Sequence, residues 1–229
     1  MTFKKEQISD EELEFIDWQI EDEQHKKELN EAVNADLKKE IERVKKSMDE
    51  TIEEKPDECQ RIMGIIGGYT HLISFPLDKE QLKYDCLPYK LNEINDTLED
   101  MFLLLISAKY KTSRILLRKW LELVVVSIYC DTNPLADKDF TKKWMNVEDV
   151  GGLNFTDKLR KVSSNDFDAI LRIYKELSIY THNEGKRGEW DFSYNEKEFN
   201  DIFSKINQLQ SYIEKMIKNK YSGIFLFIA

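Results

Sequence analysis

The apolar residues of the first fifty positions form a narrow stripe at helical spacing. Ser9 and Glu12 make a capping box, which predicts the start of a helix. The stripe that follows recurs every three or four residues, apart from one charged interruption, and has Glu and Lys on both sides. Its members are Leu13, Ile16, Ile20, Leu29, Val33, Leu37, Ile41, Val44, Met48 and Ile52. Such a helix buries one seam only, either on its own domain or against a partner helix, and both alternatives stay open.

Pro56 ends this segment, and the pattern changes after it. From position 59 to 75 the apolar residues cover most of the helix circumference, which predicts a buried helix stopped by Pro76. Gly64, Gly67 and Gly68 are small enough to admit a second helix at close range. We therefore expect two parts, a charged amphipathic helical segment at 1–56 and a helical bundle domain at 57–229.

The rest of the chain predicts further helices. A long helical stretch from about 89 to 130 is interrupted near 108–112, where Thr112 or Ser113 can cap a second helix, so an antiparallel pair is expected. Helices are also expected at 155–162, from 167 to about 180, and at 196–220. The β-branched run at 124–126 continues a helical period and is interpreted as helix. Residues 224–229 are almost purely apolar, which predicts a tail buried in the fold or in a partner.

Composition narrows the fold class to all-α. The 229 residues include only 8 Gly and 4 Pro, too few for the many turns of an all-β protein, so an antiparallel helical bundle is predicted. The formal charge of −10 excludes extended DNA binding by electrostatics. The longest apolar runs are far below the roughly 20 residues that span a bilayer, and the first residues lack a signal sequence. We expect a cytoplasmic protein without membrane contact.

The sequence predicts neither a metal site nor a cofactor. Cys59, Cys86 and Cys130 are far apart and form no CxxC pair, so they are expected to be buried free thiols. The three histidines are equally scattered. No Walker, Rossmann or nucleophile-elbow motif occurs.

Two polar groups are candidates for chemistry. Arg114, Arg118 and Glu122 follow one another at steps of four, which places them on one stripe of a helix and favours an Arg118–Glu122 ion pair. His182 lies where a helix is expected to end, and a histidine there can act as an acid or a base near neutral pH. A purely structural ion pair and a helix-terminal histidine are the alternatives. The sharpest hypothesis is that Arg118 and His182 share one polar pocket.

The stretch SRILLRKWLE at 113–122, followed by YKELSIYTH at 174–182, resembles the divergent HEPN-like helical bundles of prokaryotes. The resemblance covers about residues 90–220. Many members of that superfamily are metal-independent ribonucleases of defence or stress systems, and others are non-catalytic binding modules. The ribonuclease hallmark is an Arg four to six residues before a His, whereas here Arg172 precedes His182 by ten positions and Arg187 follows it.

The resemblance implies roles for the candidate residues and a list of partners. His182 would transfer a proton, Arg118 or Arg114 would stabilise phosphate charge, and Glu122 would orient the arginine. RNA and a second copy of the chain are the partners that the resemblance implies. The one-sided seam at 29–52 and the apolar tail also favour a second copy or a protein partner. Two hypotheses result: a HEPN-like binding or regulatory protein with or without ribonuclease activity, and a non-catalytic adaptor that binds proteins through its N-terminal helix and apolar tail.

Overall fold

The computed structural model describes residues 10–74, 86–132, 154–182 and 193–221, with side chains at 24–71, 86–132, 154–180 and 193–221. The chain divides into two units, Met1–Lys46 and Ser47–Ala229. Every regular element in the described ranges is an α-helix, so the predicted all-α class is confirmed for that part of the chain. The predicted division at residue 56 stays a prediction. The capping Ser9 and the tail at 224–229 lie outside the described residues.

Seven helices are described. They are α1 (Asp10–Glu54), α2 (Pro56–Ser74), α3 (Cys86–Ile106), α4 (Tyr110–Thr132), α5 (Phe155–Val162), α6 (Phe167–His182) and α7 (Glu196–Lys220). The predicted bounds of α5 and α7 are confirmed, and each helix starts at an Asn that caps it. The Asn154 side chain accepts a hydrogen bond from the Asp157 backbone N–H at 3.0 Å, and Asn195 accepts one from Glu198 at 3.2 Å.

Helix α4 is the centre of the second unit. It packs against α3, α5, α6 and α7, while α2 packs on α3. Because neighbours surround its C-terminal half, every residue from 123 to 131 is buried, including the β-branched run at 124–126. The prediction that this run is helical is confirmed. Burial on all sides also explains why the run lacks the polar positions of an ordinary amphipathic helix.

The turn between α3 and α4 lies close to the predicted break. The Lys109 N–H donates to the Leu104 carbonyl at 2.8 Å, and the Ala108 N–H donates to Leu105 at 3.1 Å. These two bonds make a Schellman motif, and Ala108 occupies its left-handed position with φ of 55°. Helix α4 therefore begins at Tyr110, and the prediction that Thr112 or Ser113 caps it is wrong. Instead, the Ser113 hydroxyl is buried and donates to the Met101 carbonyl at 3.1 Å.

The last turns of α1 belong to the second unit and pack on its core. Ser47 and Thr51 are buried, and the Ser47 hydroxyl donates to the Ile106 carbonyl at the end of α3 at 3.4 Å. The Thr51 hydroxyl lies 2.8 Å from the Ser47 carbonyl and 3.2 Å from the Ile106 carbonyl. Met48 packs against the core between them. This end of the predicted seam is therefore covered only in part, because Met48 packs on the core while Ile52 is 45% exposed. A carbonyl that α3 leaves without a helical partner thereby gains a side-chain donor.

The seam in the first unit has a different environment. Every residue from 24 to 39 is exposed to solvent. The four large apolar residues of the seam from position 29 to 41 are between 55% and 57% exposed; they are Leu29, Val33, Leu37 and Ile41. Among the described side chains, the predicted seam therefore presents apolar surface to water from Leu29 to Ile41.

Helix α2 is amphipathic and is not buried all round, contrary to the sequence prediction. Ile62, Ile66 and Tyr69 are buried, but Met63 is 51% exposed. A Cβ atom built on Gly64 or on Gly67 would meet no atom within 4 Å. The expected close approach of another helix at these two glycines is therefore absent from the described residues.

The three cysteines are free and buried, as predicted. None of the helices in the described ranges combines the length and the apolar character needed to cross a bilayer.

Replacing Gly64 or Gly67 by Ala should stabilise the fold. Glycine in a helix interior costs about 0.5–1 kcal/mol relative to alanine, and open space at both positions leaves no clash to offset the gain. Urea unfolding should show an increase of that size for each variant. Gly64→Val is the matched control, because valine fills the same space with lower helix propensity and should gain less. Destabilisation by both alanines would mean that this face is covered.

Candidate functional site

The candidate residues lie where α4 faces α6 and α7. The N–H of Asn195, which caps α7, donates to the Tyr110 hydroxyl at the start of α4 at 2.8 Å. This contact holds the first turns of α7 beside the first turns of α4. Arg114 and Arg118 follow on α4 one turn apart. Arg114 contacts α7 and the end of α6, and Arg118 contacts α6.

Arg114 is buried and bound by two carboxylates of α7. Its side chain is 4% exposed, with one amino group 2.6 Å from a Glu198 oxygen and the other 2.9 Å from an Asp201 oxygen. The guanidinium also lies over the Tyr180 ring, 4.6 Å from its centroid, while its Nε has no hydrogen-bond partner. Burial lowers the pKa of Arg114, but the hydrogen bonds to Asp201 and Glu198 outweigh it, so the net shift is upward. Arg114 is thus a permanent cation that holds α7 to α4.

The ion-pair network continues along α7 to Lys205. This ammonium binds the other Asp201 oxygen and lies 3.3 Å from Glu176 on α6. Burial raises the pKa of Asp201, but the hydrogen bonds from Lys205 and Arg114 lower it by more, so the net shift is downward. The network therefore links α4, α6 and α7 through alternating charges.

Arg118 forms a smaller cluster with Glu122 and Tyr174. Its Nε donates to a Glu122 oxygen at 2.9 Å, as the spacing of four predicted, and an amino group donates to the Tyr174 hydroxyl at 3.0 Å. The Tyr174 hydroxyl in turn donates to the same Glu122 oxygen at 2.8 Å. The Arg118 side chain is 20% exposed and that of Glu122 is 35% exposed. Arg118 is therefore open to solvent in a way that Arg114 is not.

The phenol of Tyr174 is fixed by packing as well as by hydrogen bonds. Its ring stacks on Phe155 of α5, with centroids 4.0 Å apart and planes at 20°. Burial raises the pKa of Tyr174, and the hydrogen bond to Glu122 raises it further. The phenol therefore stays protonated at neutral pH and keeps donating to the carboxylate. From the sequence, Tyr174 stands out only as the first residue of the stretch 174–182, without an assignment to this cluster.

His182 is the last residue of α6, and its side chain lies outside the described residues. The contacts of its helix nevertheless fix the register against α4. Tyr174 meets Arg118, and Tyr180 meets Arg114. The end of α6 therefore lies at the level of Arg114, the earlier of the two arginines. The convergence of Arg118 and His182 in one pocket stays a prediction.

The charges around both arginines determine what the site can bind. Arg114, Arg118 and Lys205 face four carboxylates, which belong to Glu122, Glu176, Glu198 and Asp201. A phosphate would have to displace Glu122 to reach Arg118, and it would have to break two ion pairs to reach the buried Arg114 side chain. Among the described side chains, no group of three metal-type ligands is close enough to hold an ion.

Sequence reasoning missed the carboxylates of Glu198 and Asp201. Their spacing of three residues, on the flank of the inward-facing Phe199 and Ile202, was the available signal that they share one side of α7. Which helix they would face depends on tertiary contacts.

The chain matches no family model, no curated protein and no solved structure.

Replacing Arg114 by Gln should destabilise the fold by about 1–3 kcal/mol. Breaking a buried ion pair by removing one partner costs several kcal/mol, and the two carboxylates here are about 40% exposed, which reduces the loss. Urea unfolding at pH 7 measures the change. Lys119→Gln is the control, since its pair with Glu93 is exposed at 3.9 Å and should change stability by less than about 0.5 kcal/mol.

The stability difference between wild type and Arg114→Gln should depend on pH. The pKa of Asp201 is lowered in the folded state, so its stabilising contribution is present above the unfolded value, near 4, and is lost as the pH falls through the folded value. The stability difference between wild type and Arg114→Gln should therefore narrow between about pH 5 and pH 2. A difference that stays constant over that range would show that Asp201 does not contribute to it.

Proposed function

We propose that this chain is a helical adaptor that binds a partner protein along the exposed apolar seam of α1. The observation that carries the proposal is the exposure of Leu29, Val33, Leu37 and Ile41, all above half, on one helix without a covered face between 24 and 39. Single exposed apolar residues are common on protein surfaces, but four that align on one helix make a continuous patch.

The lack of packing around the exposed part of α1 also supports this proposal. Most helical stability in proteins comes from packing an amphipathic face, and a helix stretch exposed on all sides lacks that contribution. A partner that covers the seam would supply it. The net charge of −10 favours a protein surface over a phosphate backbone as that partner.

Site-specific photo-crosslinking tests the adaptor function. A benzophenone side chain at position 37 should crosslink a partner protein in the cells that produce this chain. The same group at position 39, which lies about 160° around the helix, is the control and should crosslink far less. Equal labelling from both positions, or none from position 37, would contradict binding through the seam.

A second candidate function is the metal-independent ribonuclease implied by the HEPN-like resemblance. One observation favours it: Arg118 is partly exposed and is oriented by Glu122 and by Tyr174, and Tyr174 lies on the helix that ends at His182. A preorganised arginine suits cleavage of a phosphodiester if His182 reaches the same substrate as a general acid or base. The acidic surroundings of Arg118 are the reason why this candidate comes second.

An RNA cleavage assay in excess EDTA tests the ribonuclease function. The wild-type chain should cleave single-stranded RNA, and His182→Ala and Arg118→Ala should each reduce the rate at least a hundredfold with melting temperatures near that of wild type. Arg160→Ala is the control, because Arg160 is exposed on α5. A wild-type chain that leaves RNA intact would eliminate this candidate.

A further inference from the structure

We propose that the partner of α1 is a second copy of this chain, and that the two α1 helices cross along their apolar seams while running in the same sense. This inference rests on the adaptor function proposed above and names its partner. Three properties of the first unit carry it: the spacing of the exposed apolar residues, the signs of the charges on either side of them, and the exposure of the whole stretch.

The exposed apolar residues form a ridge of the kind that crosses another helix obliquely. Leu29, Val33, Leu37 and Ile41 follow one another at steps of four. In helix packing, such rows are inclined by about −26° to the axis, and two of them interdigitate at a crossing angle of about −50°. A supercoiled pair instead needs alternating steps of three and four, which this stretch lacks. The ridge therefore fits a short oblique crossing with an identical ridge.

The two rows beside the apolar ridge carry opposite charges. The row on one side contains Glu28, Asp36 and Glu40 and is net negative. The row on the other side contains Lys26 and Lys38 with two uncharged asparagines between them, followed by Glu42, and is net positive. We call these rows the acidic flank and the basic flank. The ion pair of Asp36 with Lys39 within α1 is exposed on both sides at 3.9 Å, and such a pair contributes little that a partner could not replace.

Opposite flanks make the ridge complementary to itself in one orientation. When two identical helices related by a two-fold axis run in the same sense, the acidic flank of one faces the basic flank of the other. When they run in opposite senses, like flanks face each other, and like charges at an interface are unfavourable. A symmetric pair in the same sense therefore satisfies both apolar ridges and all four charged rows together.

The ridge is short, so the pair should be weak. Four apolar residues per helix at an oblique crossing correspond to the lower end of protein interfaces, where association is transient. We expect a dissociation constant in the micromolar range, roughly 1–100 µM, for the full chain. Part of the association should weaken with salt, because exposed charges are screened over about 8 Å at physiological ionic strength.

Sedimentation equilibrium of the purified full chain tests the apolar ridge. The wild-type chain should show a reversible dimer over this concentration range, and Leu37→Glu should weaken it at least tenfold. Lys39→Glu is the matched control, since it places the same residue on the opposite side of α1 and should leave the association within about threefold of wild type. A wild-type chain that remains monomeric at 200 µM would overturn the proposal.

Charge reversal tests the orientation. The Asp36→Lys/Glu40→Lys variant and the Lys26→Glu/Lys38→Glu variant each give two flanks whose net charges have the same sign, so each alone should dimerise at least tenfold more weakly. The variant with all four reversals restores opposite flanks and should dimerise within about threefold of wild type. Failure of the fourfold variant to recover, with its helix content unchanged by circular dichroism, would overturn the same-sense pairing.

The outcomes separate this proposal from the adaptor function beneath it. A chain that is monomeric in solution but crosslinks another protein from position 37 would remove the second copy and leave the adaptor function in place. A chain that neither dimerises nor crosslinks from position 37 would remove both. Crosslinks between two copies from position 37, together with the loss of dimer in Leu37→Glu, would support both.

Discussion

The buried carboxylate of Asp131 holds the helices of the second unit in register. It lies near the end of α4, is 6% exposed, and accepts the backbone N–H groups of Cys86 and Leu87 at the start of α3. It also accepts the hydroxyl of Tyr221, directly after α7, while the Lys220 ammonium donates to its carbonyl. An anion at a helix N-terminus is favourable because two unpaired N–H groups and the helix dipole both point at it. One side chain thus joins three helix ends.

This fixed register gives two arginines one turn apart opposite roles. With α7 held at both ends, its Glu198 and Asp201 lie against Arg114, whose burial makes the ion pairs part of the fold. Arg118 lies against α6 instead, where Tyr174 and Glu122 share its hydrogen bonds and leave it partly open to solvent. The same residue type is therefore structural at position 114 and accessible at position 118. The reason is that α7 supplies two carboxylates to Arg114, whereas α6 supplies a phenol to Arg118.

Local signals in the sequence predict the helices well and their junctions poorly. The Asn caps of α5 and α7 and the proline after α2 mark helix ends within a few residues, so those bounds follow from the sequence. The start of α4 does not, because Ala108 takes the left-handed position that usually calls for glycine. The cap that Asp131 supplies to α3 comes from 44 residues away and leaves no local pattern. Likewise, the Arg118–Glu122 pair follows from spacing, whereas the partners of Arg114 depend on how the helices pack.

The contrast between the two ends of α1 shows that the apolar pattern alone does not determine which part of the helix packs on a core. The stripe is continuous from Leu29 to Met48, yet Met48 packs on a core between two buried hydroxyls while Leu29 to Ile41 remain exposed. The end that packs on the core differs in its polar residues. The hydroxyls of Ser47 and Thr51 lie within hydrogen-bond distance of a carbonyl at the end of α3 that has no helical partner. The exposed end has charges at the equivalent flanking positions, which would be costly to bury against a core without partners. An apolar ridge between charged flanks is therefore better suited to reversible binding of a surface that carries complementary charges.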